Sequence, residues 1–211
     1  MKFLLLLFNA IPFFQIISII CVTISPLKNS YKISLIVSIL YLIPPILARL
    51  CKLICPIKNK RSEVYSREFY SWWFQFNLQM LYLRLPFMEE FLRFVPGLYS
   101  LWLRLWGSKI GKLVYWPAGL RLLDRGYLDI GDYVFFGADV RLNPHVITKE
   151  NEKNMLLLDT VVIKKNVSIG GYSLITAGVC IEEGEALNAY SILTPFCTWK
   201  NGKRIKPKLE A

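Results

Sequence analysis

From Ile163 the sequence can be written in sixes, IKKNVS, IGGYSL, ITAGVC, IEEGEA and LNAYSI, each opening on isoleucine or leucine. The fifth places hold Val167, Ser173, Val179, Glu185 and Ser191, mostly small or β-branched. An earlier run, IGDYVF, FGADVR and LNPHVI, opens at Ile130, Phe136 and Leu142 with valine at every fifth place, and IGKLVY at Ile110 is a further unit. A helix repeats near 3.6 residues and a strand at 2, so a period of six belongs to neither alone. A fixed short repeat instead demands stacking. Each unit is then a brief strand and a turn, one side of a triangular coil, with its first residue pointing inward onto its equivalent three units away. Gly131, Gly137, Gly170 and Gly171 fall where such a backbone turns sharply.

This pattern, over about residues 110–206, resembles the left-handed parallel β-helix of the hexapeptide-repeat acyltransferases, whose crossovers are an exception to the right-handed rule. The expected fold class is a β-solenoid: a left-handed parallel β-helix over 109–206, preceded by N-terminal transmembrane and amphipathic interfacial helices. A coil alone does not fix an activity, and a non-catalytic trimeric scaffold is the competing expectation. The γ-class carbonic anhydrases share the coil but need several histidines per zinc. His145 is the only histidine in the chain, so that branch is excluded and no metal is expected.

The first half is of another kind. Residues 3–27 carry no charge, and a second apolar run, 33–54, is interrupted only by Arg49 and Lys52 near its end. Either run is long enough for a hydrocarbon core of about 30 Å. Pro44-Pro45 should kink or break the second, so residues 1–62 are expected to be an anchor with one or two spans. Lys58, Lys60 and Arg61 follow the second run, whereas the loop between the runs carries only Lys28 and Lys32, which places the later residues on the cytoplasmic side. Residues 63–108 are dense in aromatics, and Pro86 and Pro96 divide them into roughly three helical pieces. They read either as core helices packed on the coil or as helices lying in the bilayer interface. With 54% hydrophobic residues and a net charge of +11, the chain suits an anionic membrane surface better than nucleic acid, because its aromatics are not interleaved with its cations. The odd count of five cysteines has no framework spacing and suits a reducing compartment.

His145 closes the first run of sixes, and about 11 residues, 148–158, interrupt the repeat after it. A histidine at a coil edge beside a projecting loop resembles the general base of the hexapeptide-repeat acyltransferases. Imidazole titrates near neutral pH and suits removal of a proton from an acceptor hydroxyl or amine. The resemblance further implies a homotrimer with sites between adjacent prisms, Asn143 helping to orient His145 or the substrate, and Asp124 near the acceptor pocket, with a plain turn role as its rival. It implies a thioester donor, acyl-CoA or acyl-ACP, held near Ser173, Thr176, Ala177, Gly178, Ala189 and Tyr190, with Lys200 and Lys203 as phosphate contacts or as a solvated basic end. The closing segment LNAYSILTPFCTWKNGKRIKP, with LWLRLWGSKIGKLVYW, is also similar to the terminal modules of polylysine-synthetase type, which would condense amino groups. Glu185 is a departure, an acid where a small buried residue is usual. The expected function is a membrane-bound acyltransferase acting on an amine or hydroxyl of a lipid or lipid-linked acceptor, with membrane lipid and possibly acyl carrier protein as partners.

Overall fold

In the computed structural model, residues 2–206 are described. The N-terminal part comprises α1 (Lys2–Asn9), α2 (Ile11–Ile24), α3 (Asn29–Val37), a π-helical turn (Ser38–Leu42) and α4 (Ile43–Ile54). After a short strand, β1 (Arg61–Glu63), come α5 (Arg67–Leu78), α6 (Met80–Arg84), α7 (Phe87–Arg93) and α8 (Leu98–Leu105). Pro12 cannot donate to the turn before it, and the chain bends by 42° between Phe3–Asn9 and Ile11–Ile24, so the first apolar run is not one straight helix.

Of the kink or break expected at Pro44-Pro45, the break does not occur. Asn29–Ile54 is one continuous helix of 26 residues, about 39 Å at 1.5 Å per residue, long and apolar enough to cross a membrane. The two prolines lack the N–H groups that would bond the carbonyls of Leu40 and Tyr41, four residues earlier. The helix widens there into the π turn, and neighbouring helices supply the missing donors. The Tyr82 hydroxyl donates to Leu40 O, and Trp102 Nε1 donates to Tyr41 O at 2.9 Å. Tyr82→Phe therefore strands a carbonyl away from water. It is expected to lower stability by about 1–3 kcal/mol, read by denaturant unfolding of the full chain in detergent, and unchanged stability would contradict this account of the π turn.

The aromatic helices bury one face and expose the other. Trp72, Tyr82, Tyr99, Trp102 and Trp106 are buried, and most of this cluster is continuous from Ala48 to Cys197 inside the coil. Phe87, Phe91, Phe94 and Leu101 on the outer side remain 56–79% exposed. There are four helices rather than three, because the chain breaks again at Gln79. Its side-chain oxygen accepts from the Arg125 N–H at 2.8 Å, fixing the helices to the first coil.

The remaining strands are β2 (Lys109–Ile110), β3 (Arg121–Leu122), β4 (Leu128–Ile130), β5 (Phe135–Phe136), β6 (Arg141–Asn143), β7 (His145–Glu150), β8 (Lys153–Leu158) and β9 (Val161–Ile163). They continue as β10 (Ser168–Ile169), β11 (Leu174–Thr176), β12 (Cys180–Ile181), β13 (Ala186–Leu187), β14 (Ile192–Leu193), β15 (Thr198–Lys200) and β16 (Lys203–Ile205). The chain visits three parallel sheets in rotation: β2–β4–β9–β12–β15, β5–β10–β13 and β3–β6–β11–β14. Ile163 pairs with Ile181, Ile169 with Leu187 and Ile175 with Leu193, each three units apart, as the repeat requires. These first-place residues are buried, as are Val134, Val140, Val167 and Val179 from the fifth place.

The glycines have a different reason from the one expected. Gly131, Gly137 and Gly170 do not carry a positive φ; a Cβ on them would lie 2.2–2.5 Å from the backbone of the next coil. The left-handed conformation falls instead on the corner residues that follow, such as Tyr133, Asp139 and Tyr172. Glu185 is not sunk in the core: its carboxylate accepts from the Asn201 and Gly202 N–H groups at 2.6 and 3.0 Å, capping the β15–β16 hairpin.

Candidate active site

The interruption after His145 is a β-hairpin, not a loop. β7 and β8 pair antiparallel from His145↔Leu158 outwards, and β1 adds a third strand through Ser62↔Leu156. At its neck the Asp159 N–H donates to Pro144 O at 3.1 Å, returning the chain to the coil. His145 is thus the first residue of the hairpin, one coil beyond Asp124.

His145 Nδ1 is hydrogen-bonded to Asp124 Oδ2. The other carboxylate oxygen, Oδ1, accepts from Trp72 Nε1 of α5 at 2.8 Å. The Asp124 side chain is 1% exposed and that of His145 13%. Two aromatic rings from α5 wall the imidazole edge-on, Trp72 with centroids 4.7 Å apart and Phe76 at 5.2 Å. With Nδ1–H donated to the carboxylate, the lone pair of Nε2 is left free to accept a proton. No protein group bonds Nε2 among the described residues. The buried carboxyl group has a partner on each oxygen, and the arrangement can take a proton from a hydroxyl or amine and return it.

The turn that carries Asp124 is held on every side. Asp124 adopts φ +51°, and its carbonyl accepts from the Tyr127 N–H at 2.9 Å. The Arg125 guanidinium reaches the Glu89 carboxylate on α7, with Nε at 2.5 Å, and Ser108 Oγ donates to Arg125 O at 2.6 Å. Lys52 of α4 donates to Gly126 O at 3.1 Å and stands 4.0 Å over the Tyr127 ring. Burial, helped by the nearby Asp124 charge, pushes the Tyr127 phenol above its ordinary range, so it stays neutral.

Asp124 takes the turn role weighed for it, and its carboxylate also holds the histidine, the task expected of Asn143. Asn143 lies at the end of β6, opposite Thr176, and its side chain makes no hydrogen bond to His145; the ring is set by Asp124 instead. The six-residue register carried a usable signal. It stacks Leu122 on Leu142, hence Asp124 beside Pro144 and its neighbour His145. Trp72 had none, being a helical residue far upstream whose indole could as well have been core.

The residues expected to hold a donor are divided by the structure. Ser173 and Thr176 are buried, with hydroxyls spent between coils: Ser173 Oγ donates to Asn188 O at 3.1 Å and Thr176 Oγ1 to Leu193 O at 2.7 Å. Their side chains are corrected to coil-to-coil ties. Ala177 is fully buried, while Gly178, at φ +66°, sits on the edge of His145, its N–H reaching Asp159 O at 3.3 Å. Ala189 and Tyr190 lie on another edge, where Tyr190 is 73% exposed and stacks on Tyr172 at 5.1 Å. Lys200 and Lys203 face each other across the exposed terminal hairpin.

No family profile and no curated protein matches the chain. Among solved structures, a hexapeptide-repeat-containing acetyltransferase from Vibrio cholerae O1 biovar El Tor, complexed with acetyl coenzyme A, is 15% identical, covers 61% of this chain and 86% of its own, and gives a TM-score of 0.45. A maltose O-acetyltransferase from Clostridium difficile is 16% identical over 59% of this chain and 84% of its own, with a TM-score of 0.42. At these values neither lends a residue role or a substrate, and the site rests on this chain's own geometry.

Proposed function

We propose that the protein is a membrane-bound acyltransferase that moves an acetyl or longer acyl group from a CoA or ACP thioester to an amine or hydroxyl of a lipid or lipid-linked acceptor. One observation carries this reading: a carboxylate–imidazole pair, inside a repetitive coil, is placed where the coil is interrupted and is completed by a helix from the apolar half of the chain. A plain scaffold gives such a pair no task. In the reaction, His145 Nε2 takes the acceptor proton while the acceptor oxygen or nitrogen attacks the thioester carbonyl carbon. The C–S bond then breaks, and the departing thiolate takes the proton back from the imidazolium.

The membrane part of the reading rests on the 26-residue apolar helix and on Lys52 near its end, which bonds the turn of Asp124. That contact sets the pair at the level where the apolar helix ends, within reach of an acceptor whose tail lies in the bilayer. The cations at 58, 60 and 61 favour the cytoplasmic side. Left-handed winding and a homotrimer are adopted with the reading. An amine acceptor would make the same chemistry an amide-forming step.

The test is free-thiol release by the full chain in lipid nanodiscs supplied with acyl-CoA or acyl-ACP, with mass spectrometry of the lipids. Thiol release that depends on the lipid, with a matching mass increase on one lipid class, is the expected result. Thioesters left intact in every lipid would overturn the reading.

A further inference from the structure

A cavity opens just past the end of the apolar helix. It holds about 310 Å³ and is lined by Cys55, Pro56, Lys58, Arg67, Glu68 and Ser71. The wall is fixed by Ser71 Oγ, which donates to Cys55 O at 2.7 Å and so ties the helix end to α5. The neighbouring cations are spent: Lys60 pairs with Asp159 at 2.8 Å and Arg61 with Glu150 at 3.5 Å. Lys58 and Arg67 make no ion pair among the described residues, and neither does Glu68. Two unspent cations and one carboxylate thus line one cavity.

The depth of this cavity is set by its neighbours. Leu53 and Ile54, immediately before it, are 73% and 74% exposed and apolar, and the run of cations begins within its wall at Lys58. When that helix lies in a bilayer, the cavity stands where lipid phosphates are. We propose that it binds the headgroup of a membrane glycerophospholipid, the phosphate on Lys58 and Arg67. Glu68 opposes a second negative charge and pairs with an ammonium, which selects phosphoethanolamine over the more highly charged phosphatidic acid. The site is separate from His145 and rests on the membrane reading but not on acyl transfer.

The experiment is native mass spectrometry of the full chain in detergent micelles, titrated with short-chain phosphatidylethanolamine, phosphatidic acid and inorganic phosphate. One retained phosphatidylethanolamine is expected, weakened at least tenfold in the Lys58→Gln/Arg67→Gln double variant at unchanged melting temperature. Glu68→Gln, a single change at the cavity rim, should move the preference toward phosphatidic acid. Equal lipid retention by the double variant overturns the proposal, as does inorganic phosphate binding as tightly as lipid. Membrane pelleting of the double variant separates the two readings: a variant that still pellets but binds like wild type sinks the pocket alone, and a wild type that fails to pellet sinks the membrane reading beneath it.

Discussion

On the proposed function, Asp124→Asn is expected to lower acyl-transfer turnover by about 10²–10⁴-fold while the chain stays folded. The tautomer of His145 decides the outcome. The carboxylate accepts from Trp72 Nε1 on one oxygen and from His145 Nδ1 on the other. An asparagine keeps the shape, and its single carbonyl oxygen satisfies the indole. Its NH₂ then faces Nδ1, which must accept rather than donate. The ring proton is driven to Nε2, the nitrogen that has to be the base, and catalysis fails although every atom is in place. His145→Ala should fall to the same level, and the double variant no lower, because the two residues act as one unit. Thiol release measures all three, and circular dichroism checks that the melting temperature moves by only a few degrees. A double variant much slower than either single one, or an Asp124→Asn enzyme within a few-fold of wild type, would separate the residues and end the account.

The coil was legible because its signal is local and redundant. Ile163, Ile169 and Ile175 each stack three units on, and a period of six admits few other architectures. Even the break after His145 could be read as an insertion. That it is a hairpin could not, since β1 completes its sheet from residues 61–63, ninety positions upstream of Lys153. The same separation hid Trp72. Its indole is defined by what it bonds, and nothing within α5 distinguishes it from Trp73, whose Nε1 donates instead to Asn9 at 2.9 Å. Whether Pro44-Pro45 would end the helix was hidden for a related reason. Proline removes helix donors wherever it stands, but whether the helix ends depends on who answers the orphaned carbonyls, and Tyr82 and Trp102 lie 42 and 61 residues on from them. Local rules held; their compensation was long-range.

The largest effect on stability is expected at Glu89, a residue with no part in the chemistry. Its carboxylate is 5% exposed and gathers four donors: Arg125 Nε and Nη2, Arg93 Nη2 at 3.1 Å and the Tyr99 hydroxyl at 2.9 Å. Arg93 has a second partner in Glu90 at 2.5 Å, but Arg125, 1% exposed, has otherwise only Gln79 Oε1 at 3.1 Å and the faces of Tyr82 and Trp102. Glu89→Ala therefore leaves a guanidinium charged and dry. Breaking a buried pair from one side costs about 3–5 kcal/mol, against a total of about 5–15 kcal/mol for a domain. The variant should unfold at much lower denaturant or fail to accumulate. Removing both charges is the sharper measurement, because hydrophobic replacements of similar volume relieve the desolvation that the lone charge suffers. Glu89→Met/Arg125→Met should be more stable than Glu89→Ala by at least 2 kcal/mol, an order-of-magnitude figure set by that same relief. If the double variant is instead the less stable, the pair contributes net binding of its own between α7 and the first coil. In that case the turn of Asp124, one residue away, owes its position to that ion pair rather than to the packing around it.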